Sequence, residues 1–94
     1  MNRRPLQSVL YVDDEPDIRE VVELSLALAA DLKVQSCGSG EQALRLLPTL
    51  CPDLVLLDVM MPGLDGPGTL ARMRADTGLA QIPVVFLTAK ALPA

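Results

Sequence analysis

Three acidic residues of this sequence stand directly after apolar runs, at positions where a strand would end. Asp13 and Asp14 follow the apolar residues of "SVLYVDDEP", and Asp58 is the first polar residue after the apolar run of "DLVLLDVMMPGLDG". Thr88 closes another apolar run in "IPVVFLTAK". Because the strands of an open parallel sheet leave their carboxyl ends at one edge, where ligands bind, we expect these residues to meet.

Carboxylates held close together repel one another, so such a cluster needs a compensating partner. Neighbouring strands lie about 4.8 Å apart, which would bring Asp13, Asp14 and Asp58 together if their strands are adjacent. The group would then either retain a proton at raised pKa or bind a divalent cation. The chain has no His, and a ligand set of oxygen atoms favours Mg²⁺, which commonly shares its shell with a phosphate. The sequence therefore predicts a magnesium site at these three residues.

The acids need a scaffold, and the hydrophobic pattern indicates alternating strands and helices. Short apolar runs that do not alternate with polar residues are typical of strands buried on both faces of a parallel sheet. Such runs occupy Val9–Val12, Val34–Cys37, Leu54–Leu57 and Val84–Leu87. Amphipathic stretches separate them and give the order β-α-β-α-β-α-β. This order predicts an α/β domain whose parallel sheet is covered by helices on both faces.

Three helices are predicted between the strands. The apolar face of the first is expected to be buried, and its members recur at helical spacing: Ile18, Val21, Val22, Ser25, Leu26 and Ala29. A capping box in "SGEQ", residues 39–42, opens the second helix, which Pro48 is expected to end at about Leu47. The third is expected to run from about Pro67 to Ala75.

Composition excludes several classes of function. The 94 residues are half hydrophobic, with a mean hydropathy of +0.34, which allows one domain with an aliphatic core. The net charge of −4 argues against a nucleic-acid surface, which needs clustered Lys and Arg. No stretch approaches the roughly 18–20 apolar residues of a membrane span. Cys37 and Cys51 lack metal-ligand spacing and are interpreted as reduced thiols. We therefore expect a cytoplasmic protein that binds neither nucleic acid nor membrane.

Each of these polar residues also has an interpretation without chemistry. Asp13 and Asp14 could cap the first helix, and Asp58 could be a solvated strand end. Thr88 could be an ordinary strand residue, and Asp65 is interpreted as part of a turn. The joint occurrence of acids at two strand ends and a Thr at a third favours the chemical interpretation.

Three motifs of the chain, "VLYVDDEP", "LVLLDVMMPGLDG" and "VVFLTAKA", closely resemble the receiver domain of two-component response regulators. The resemblance runs through essentially the whole chain, residues 1–94. It implies a flavodoxin-like doubly wound parallel sheet with strand order 2-1-3-4. It also implies a phosphoacceptor domain that takes a phosphoryl group from a sensor histidine kinase or phosphotransfer protein and switches conformation. Such a domain is not a conventional enzyme, although it catalyses its own phosphorylation and dephosphorylation.

The resemblance also implies a role for each residue. Asp58 would be the phosphoacceptor. Asp14 would bind Mg²⁺ directly, Asp13 would bind it largely through water, and Met60 would supply its backbone carbonyl. Thr88 would hydrogen-bond the phosphoryl oxygens and shift inward when they arrive. Phosphoryl transfer needs mostly in-line positioning and charge neutralisation, so this short set of residues is chemically adequate.

The sequence also departs from the resembled family. A receiver domain normally continues through a fourth helix, a fifth strand and a fifth helix, with a Lys after that strand that pairs with the phosphoryl group. Lys90, in "TAKA", matches a variable position of the family instead. We therefore expect an incomplete receiver domain, in which strand 4 is an open edge and part of the sheet surface is uncovered. Self-association through the edge of strand 4 is expected as a consequence.

Two other functions remain open from the sequence. A receiver-like interaction module could keep the fold, lose the chemistry and act independently of phosphorylation. A phosphatase of the haloacid dehalogenase type would use Asp13 as its nucleophile and Thr88 as its second motif. That type needs an Asp two residues after the nucleophile, where this chain has Glu15, and it would leave Asp58 without a role.

Overall fold

The computed structural model describes residues 5–87, which form a four-stranded parallel sheet and three helices. The strands are β1 (Ser8–Val12), β2 (Lys33–Cys37), β3 (Leu54–Asp58) and β4 (Val84–Leu87). The helices are α1 (Pro16–Ala30), α2 (Gly40–Leu50) and α3 (Gly66–Ala75). The strand order is β2-β1-β3-β4 and every pair is parallel, so the predicted fold class and strand order are confirmed.

The order of the strands decides which face of the sheet each helix covers. The chain moves from β1 outward to β2, then back past β1 to β3 and on to β4. Because crossovers between parallel strands are right-handed, this reversal at β2 places α1 on one face and α2 and α3 on the other. The contacts agree, since α1 packs on β1 and β2, while α2 packs on β1 and against α3.

The main core lies between the sheet and the layer of α2 and α3. Its buried members are Leu10, Val12, Cys37, Ala43, Leu47, Val55, Leu57, Met61, Met73 and Leu79. At the start of α2, the Ser39 hydroxyl oxygen accepts a hydrogen bond from the Gln42 N–H at 3.1 Å. Gln42 Oε1 in turn accepts from the Gly38 N–H at 3.1 Å. The predicted capping box is therefore present, with its return hydrogen bond one residue further back than usual.

The prediction that Pro48 ends α2 is wrong, because the helix continues to Leu50. Proline removes one N–H and crowds the carbonyl four residues earlier, and this proline lies in the last turn of the helix. The helix ends at Cys51, which has a left-handed conformation and donates its N–H to the Leu47 carbonyl at 2.9 Å. Leu50 packs against the core, and this contact stabilises the turn that follows the proline.

The predicted buried face of α1 is only partly correct. No residue of α1 is fully buried, and Ile18 and Val21 are 37% and 64% exposed. Val22 and Leu26 are partly buried, whereas Leu28 is 77% exposed. The periodicity therefore identified a helix correctly, but much of its apolar surface has no covering layer among residues 5–87.

The outer strands complete the description of the sheet. Within the part of the chain that the structure describes, β4 is hydrogen-bonded on one side only, to β3. Val85 of this strand is 48% exposed. Self-association through this edge stays a prediction. Within residues 5–87 no helix has both the length and the apolar character needed to cross a membrane.

Candidate functional site

Asp13 directly follows β1 and accepts hydrogen bonds at both of its carboxylate oxygens. It is buried, and its Oδ2 accepts a hydrogen bond from the Tyr11 hydroxyl at 2.6 Å. Its Oδ1 accepts from the Glu15 N–H at 3.0 Å. The main chain of Asp13 is also fixed, because its N–H donates to the Cys37 carbonyl at 3.1 Å and its carbonyl accepts from Arg19 Nη1 at 2.7 Å. Hydrogen bonds therefore hold both the main chain and the carboxylate of Asp13 at the edge of the sheet.

Asp58 and Asp14 differ from each other in their position in the fold and in their burial. Asp58 is the last residue of β3, is 3% exposed and pairs in register with Leu87 of β4. Its Oδ1 accepts a long hydrogen bond of 3.3 Å from the Met60 N–H. Asp14 is only partly buried. The cluster of three acidic residues therefore reaches solvent at Asp14, while Asp58 is buried.

The structure brings Asp13, Asp14 and Asp58 together as the sequence predicts. Each offers a carboxylate oxygen, and these oxygens all lie within 4.8 Å of one another. This donor set consists of hard anionic oxygens, which suits Mg²⁺ rather than a softer transition metal. Three carboxylates fill only part of the octahedral shell of Mg²⁺, which usually keeps several waters and often binds a phosphate. The partly exposed side of the site at Asp14 is where such waters or a phosphate could bind.

The segment after β3 approaches the acids closely, and a glycine makes this approach possible. A Cβ at Gly66 would overlap the Asp58 carbonyl oxygen and stand 2.9 Å from the Val59 Cα, so a larger residue would push the start of α3 away. The Gly66 N–H donates to the Val59 carbonyl at 3.0 Å. A surface depression of about 430 Å³ adjoins this segment and is lined by Val59, Met60, Met61, Pro62, Asp65 and Pro67.

Sequence reasoning missed the roles of two residues near the site. Asp65, interpreted as a turn residue, is the N-cap of α3, and its Oδ1 accepts from the Gly68 N–H at 2.8 Å. The signal was available, since an Asp shortly before a proline in the first turn is typical of a helix start. Tyr11 was given no role from the sequence, although alternation along β1 places it on the same face as Asp13.

Two residues named from the sequence, Thr88 and Lys90, lie outside the described residues. Their predicted roles, as a phosphoryl-binding hydroxyl and as a variable family position, therefore stay predictions. Thr88 directly follows Leu87, whose register partner is Asp58. The Met60 carbonyl also stays a predicted metal ligand, while the Met60 side chain is 60% exposed.

Comparison with known protein families gives a match over nearly the whole chain. Residues 9–93 match the family described as response regulator receiver domain. The chain is 41% identical over 85 residues to response regulator Rre1 of Synechocystis, covering 90% of this chain and 37% of that protein. It is 42% identical over 84 residues to the DNA-binding response regulator MtrA of Mycolicibacterium smegmatis, covering 89% of this chain and 35% of that protein. The chain thus spans little more than a third of these relatives.

Solved structures agree with the sequence matches. The N-terminal domain of a response regulator receiver protein from Methanoculleus marisnigri has a TM-score of 0.86 and 42% identity, over 95% of this chain and 72% of that one. The receiver domain of sensor histidine kinase PA1611 from Pseudomonas aeruginosa has a TM-score of 0.79 and 30% identity, over 94% of this chain and 71% of that one. The latter structure is described as having a magnesium ion coordinated in its active-site cleft.

Proposed function

We propose that this chain, which belongs to the response regulator receiver domains, accepts a phosphoryl group on Asp58 at a site that binds Mg²⁺. Receiver domains are the phosphoacceptor modules of two-component systems. The observation that carries the proposal is the group of three carboxylates, from Asp13, Asp14 and Asp58, whose oxygens lie within 4.8 Å at the carboxyl edge of the sheet. Carboxylates gathered in this way favour a cation, and Asp58 is the one that ends a strand.

The proposed metal ligands are Asp14 and Asp58 directly, Asp13 largely through water, and the backbone carbonyl of Met60. The magnesium ion described for the PA1611 receiver domain supports the choice of metal. When bound, Mg²⁺ supplies positive charge that offsets the carboxylates and the phosphoryl oxygens. The hydrogen bonds to Asp13 and the partial exposure of Asp14 fit a site that is fixed on its inner side and hydrated on its outer side.

Asp58 would act as the nucleophile. One carboxylate oxygen attacks the phosphorus of the donor, a new O–P bond forms, and the P–N bond of a phosphohistidine breaks as the imidazole leaves with the bonding electrons. The product is an acyl phosphate on Asp58. The Met60 N–H, 3.3 Å from Oδ1, holds the orientation of the carboxylate for this step. Thr88 would hydrogen-bond the transferred oxygens, since it follows the β4 residue that pairs with Asp58.

The proposed partner is a sensor histidine kinase or a phosphotransfer protein that carries the phosphohistidine. Its active histidine must reach the carboxyl edge of the sheet, where Asp14 is partly exposed and the depression beside Met60 begins. MtrA is named as a DNA-binding protein, and the phosphoacceptor step proposed for this chain does not depend on such an output activity.

The test is phosphorylation by an acyl phosphate donor, acetyl phosphate, with Mg²⁺ and without a kinase. We expect one phosphoryl group per chain, detected by intact mass and by phosphate-affinity electrophoresis. Asp58→Asn should abolish the modification. Asp31→Asn is the matched control, because it makes the same chemical change at an exposed residue at the opposite end of α1, in a left-handed conformation that Asn tolerates.

Two results would contradict the proposal. Modification that survives Asp58→Asn would place the phosphoryl group elsewhere. A folded chain that binds Mg²⁺ but accepts no phosphoryl group from any donor would support the alternative, a receiver-like interaction module without the chemistry. Loss of modification in both Asp58→Asn and Asp31→Asn would show that the assay follows folding rather than the acceptor residue.

A further inference from the structure

Tyr11 is the single tyrosine of the chain, and its hydroxyl lies in the proposed metal site rather than at the surface. The residue is 2% exposed on β1, two positions before Asp13, so both side chains project from the same face of the sheet. The hydroxyl donates to Asp13 Oδ2 at 2.6 Å, a length typical of a hydrogen bond between a hydroxyl and an ionised carboxylate. Such charge-assisted hydrogen bonds are stronger than neutral ones.

This hydrogen bond completes a two-sided hold on the Asp13 carboxylate. The Tyr11 hydroxyl bonds Oδ2 and the Glu15 N–H bonds Oδ1, so rotation about the last bond of the side chain would break both hydrogen bonds. An ionised carboxylate can accept about four hydrogen bonds or ligand contacts. Hydrogen bonds to both oxygens therefore orient the group, and they do not by themselves exhaust this capacity.

The position of Tyr11 itself is also fixed. β1 lies between β2 and β3, and Tyr11 pairs in register with Ser36 on one side and Leu56 on the other. Because the ring is also buried, it has little room to follow the carboxylate if the carboxylate moves. The hydroxyl is therefore a hydrogen-bond donor at a fixed position. Asp14, by contrast, is partly exposed and can accept hydrogen bonds from mobile water.

We propose that Tyr11 is a positioning residue of the magnesium site, acting through Asp13. The inference rests on the proposed function, because it needs Mg²⁺ to bind at Asp13, Asp14 and Asp58. By holding Asp13 in its binding orientation before the ion arrives, the phenol removes part of the ordering that binding would otherwise require. Removing a group that hydrogen-bonds a metal ligand typically lowers metal affinity by about 10–100-fold, and we expect the lower end here because Asp13 acts largely through water.

The experiment is a titration with Mg²⁺ alone, at fixed pH, followed by the NMR shifts of backbone amides around Asp58. Tyr11→Phe keeps the ring and removes only the hydroxyl, and we expect Mg²⁺ affinity to fall about tenfold. In an Asp13→Ala background, Tyr11→Phe should have no further effect, because the carboxylate through which it acts is gone.

Ser36→Ala is the matched control variant. It removes a hydroxyl from the residue beside Tyr11 in the sheet, and that hydroxyl also donates to a carboxylate, Glu23 Oε2, at 2.7 Å. Glu23 belongs to α1 and is not one of the proposed ligands. We expect Ser36→Ala to leave Mg²⁺ affinity unchanged, which separates a specific effect of the Tyr11 hydroxyl from the loss of any hydroxyl–carboxylate hydrogen bond on this face.

The other outcomes overturn the inference. Tyr11 would only pack if Tyr11→Phe left Mg²⁺ affinity unchanged or raised it. The same conclusion would follow if Tyr11→Phe lowered Mg²⁺ affinity equally in wild type and in Asp13→Ala. Wild-type protein that binds no Mg²⁺ would remove both this inference and the proposed function, whereas normal wild-type binding with no Tyr11 effect removes this inference alone. If Tyr11→Phe fails to fold, the near-ultraviolet absorption of wild-type Tyr11 is measured during the Mg²⁺ titration instead. The inference requires the absorption to shift with the same midpoint as the amide signals. The absence of a shift overturns the inference.

Discussion

The two faces of the sheet differ in how completely they are covered. On one face, α2 and α3 enclose a core in which Leu10, Leu47 and Leu57 are almost wholly inaccessible to solvent. On the other face lies α1 alone, whose apolar residues Leu24 and Leu28 are mostly exposed. Both sides are built from amphipathic helices and apolar strands. The difference arises because the chain crosses the α2–α3 side twice and the α1 side once, within the described residues.

The proposed site belongs to the less covered face. Asp13 and Asp58 follow Val12 and Leu57, which are core residues on the α2–α3 side, so alternation directs the two acids toward the α1 side. Tyr11 lies on that face as well. The α2–α3 side therefore holds the main apolar core, and the α1 side carries the buried polar groups of the proposed site, which reaches solvent at Asp14.

The largest expected difference between the faces concerns truncation of a leucine. Leu47→Ala removes a fully buried side chain from α2 and should lower the free energy of unfolding by about 2–5 kcal/mol. Leu28→Ala removes the same atoms from a residue of α1 that is 77% exposed and should change it by less than about 0.5 kcal/mol. Urea denaturation followed by circular dichroism measures both. A large loss in Leu28→Ala would show that α1 is covered in solution, by self-association or by other residues.

A smaller difference is expected for two glycines at the start of α2, of which Gly40 is the first residue of the helix and Gly38 lies two residues earlier. A Cβ at Gly40 would overlap Thr69 Oγ1 and stand 3.0 Å from the Leu64 carbonyl oxygen, where α2 meets α3. At Gly38 the nearest atom would be Arg19 Nη1, at 3.1 Å, the end of a flexible side chain. Gly40→Ala should therefore destabilise by about 1–3 kcal/mol, since overpacking outweighs the better helix propensity of Ala.

The matched variant Gly38→Ala should cost at most about 1 kcal/mol, because the end of the Arg19 side chain needs to move only slightly, which weakens its hydrogen bond to the Asp13 carbonyl but displaces no backbone. Denaturation curves of the two variants give the comparison directly. A stabilised Gly40→Ala would mean that α2 and α3 can separate without loss, and that the α2–α3 side is less tightly packed than the contacts indicate.

Sequence pattern predicted the sheet well because strands buried on both faces have a strong signal. All four apolar runs became strands, and the alternation of strands and helices led to the correct fold class. The pattern could not tell how much of α1 would be covered, since amphipathic spacing shows which side of a helix can be buried and not what lies against it. Pro48 was misjudged for a related reason: the contact of Leu50 with the core outweighed a local rule.

The candidate site was predictable where it depended on strand ends and not where it depended on side-chain geometry. Asp13, Asp14 and Asp58 were expected to meet, and they do. The hydrogen bond from Tyr11 to Asp13 depends on the length and direction of a buried phenol, which spacing alone does not specify. Asp65 was misread because a turn and a helix N-cap share the same residue preferences.

The smallest expected effect concerns the pH dependence of stability, and it again contrasts two positions. Burial on the α2–α3 side raises the pKa of the Cys37 thiol above its ordinary value of 9.0, with the nearby Ser39 backbone and Arg19 opposing the rise. Cys51, at the end of α2, is exposed. On raising the pH, the unfolded chain loses the Cys37 proton before the folded chain does. The contribution of the neutral thiol is therefore complete below the ordinary pKa and declines as the pH rises toward the folded-state pKa.

We therefore expect the wild-type free energy of unfolding to decrease between neutral pH and about pH 10, in part because of Cys37. Cys37→Ala should be less stable throughout, since it leaves space in the core, yet its stability should fall less steeply over this range. Cys51→Ala should follow the wild-type slope, because it keeps the buried Cys37 thiol and changes only an exposed residue. Urea denaturation at several pH values under reducing conditions gives the three slopes. Equal slopes in Cys37→Ala and wild type would show that the thiol is not desolvated, and that the α2–α3 side admits water beside β2.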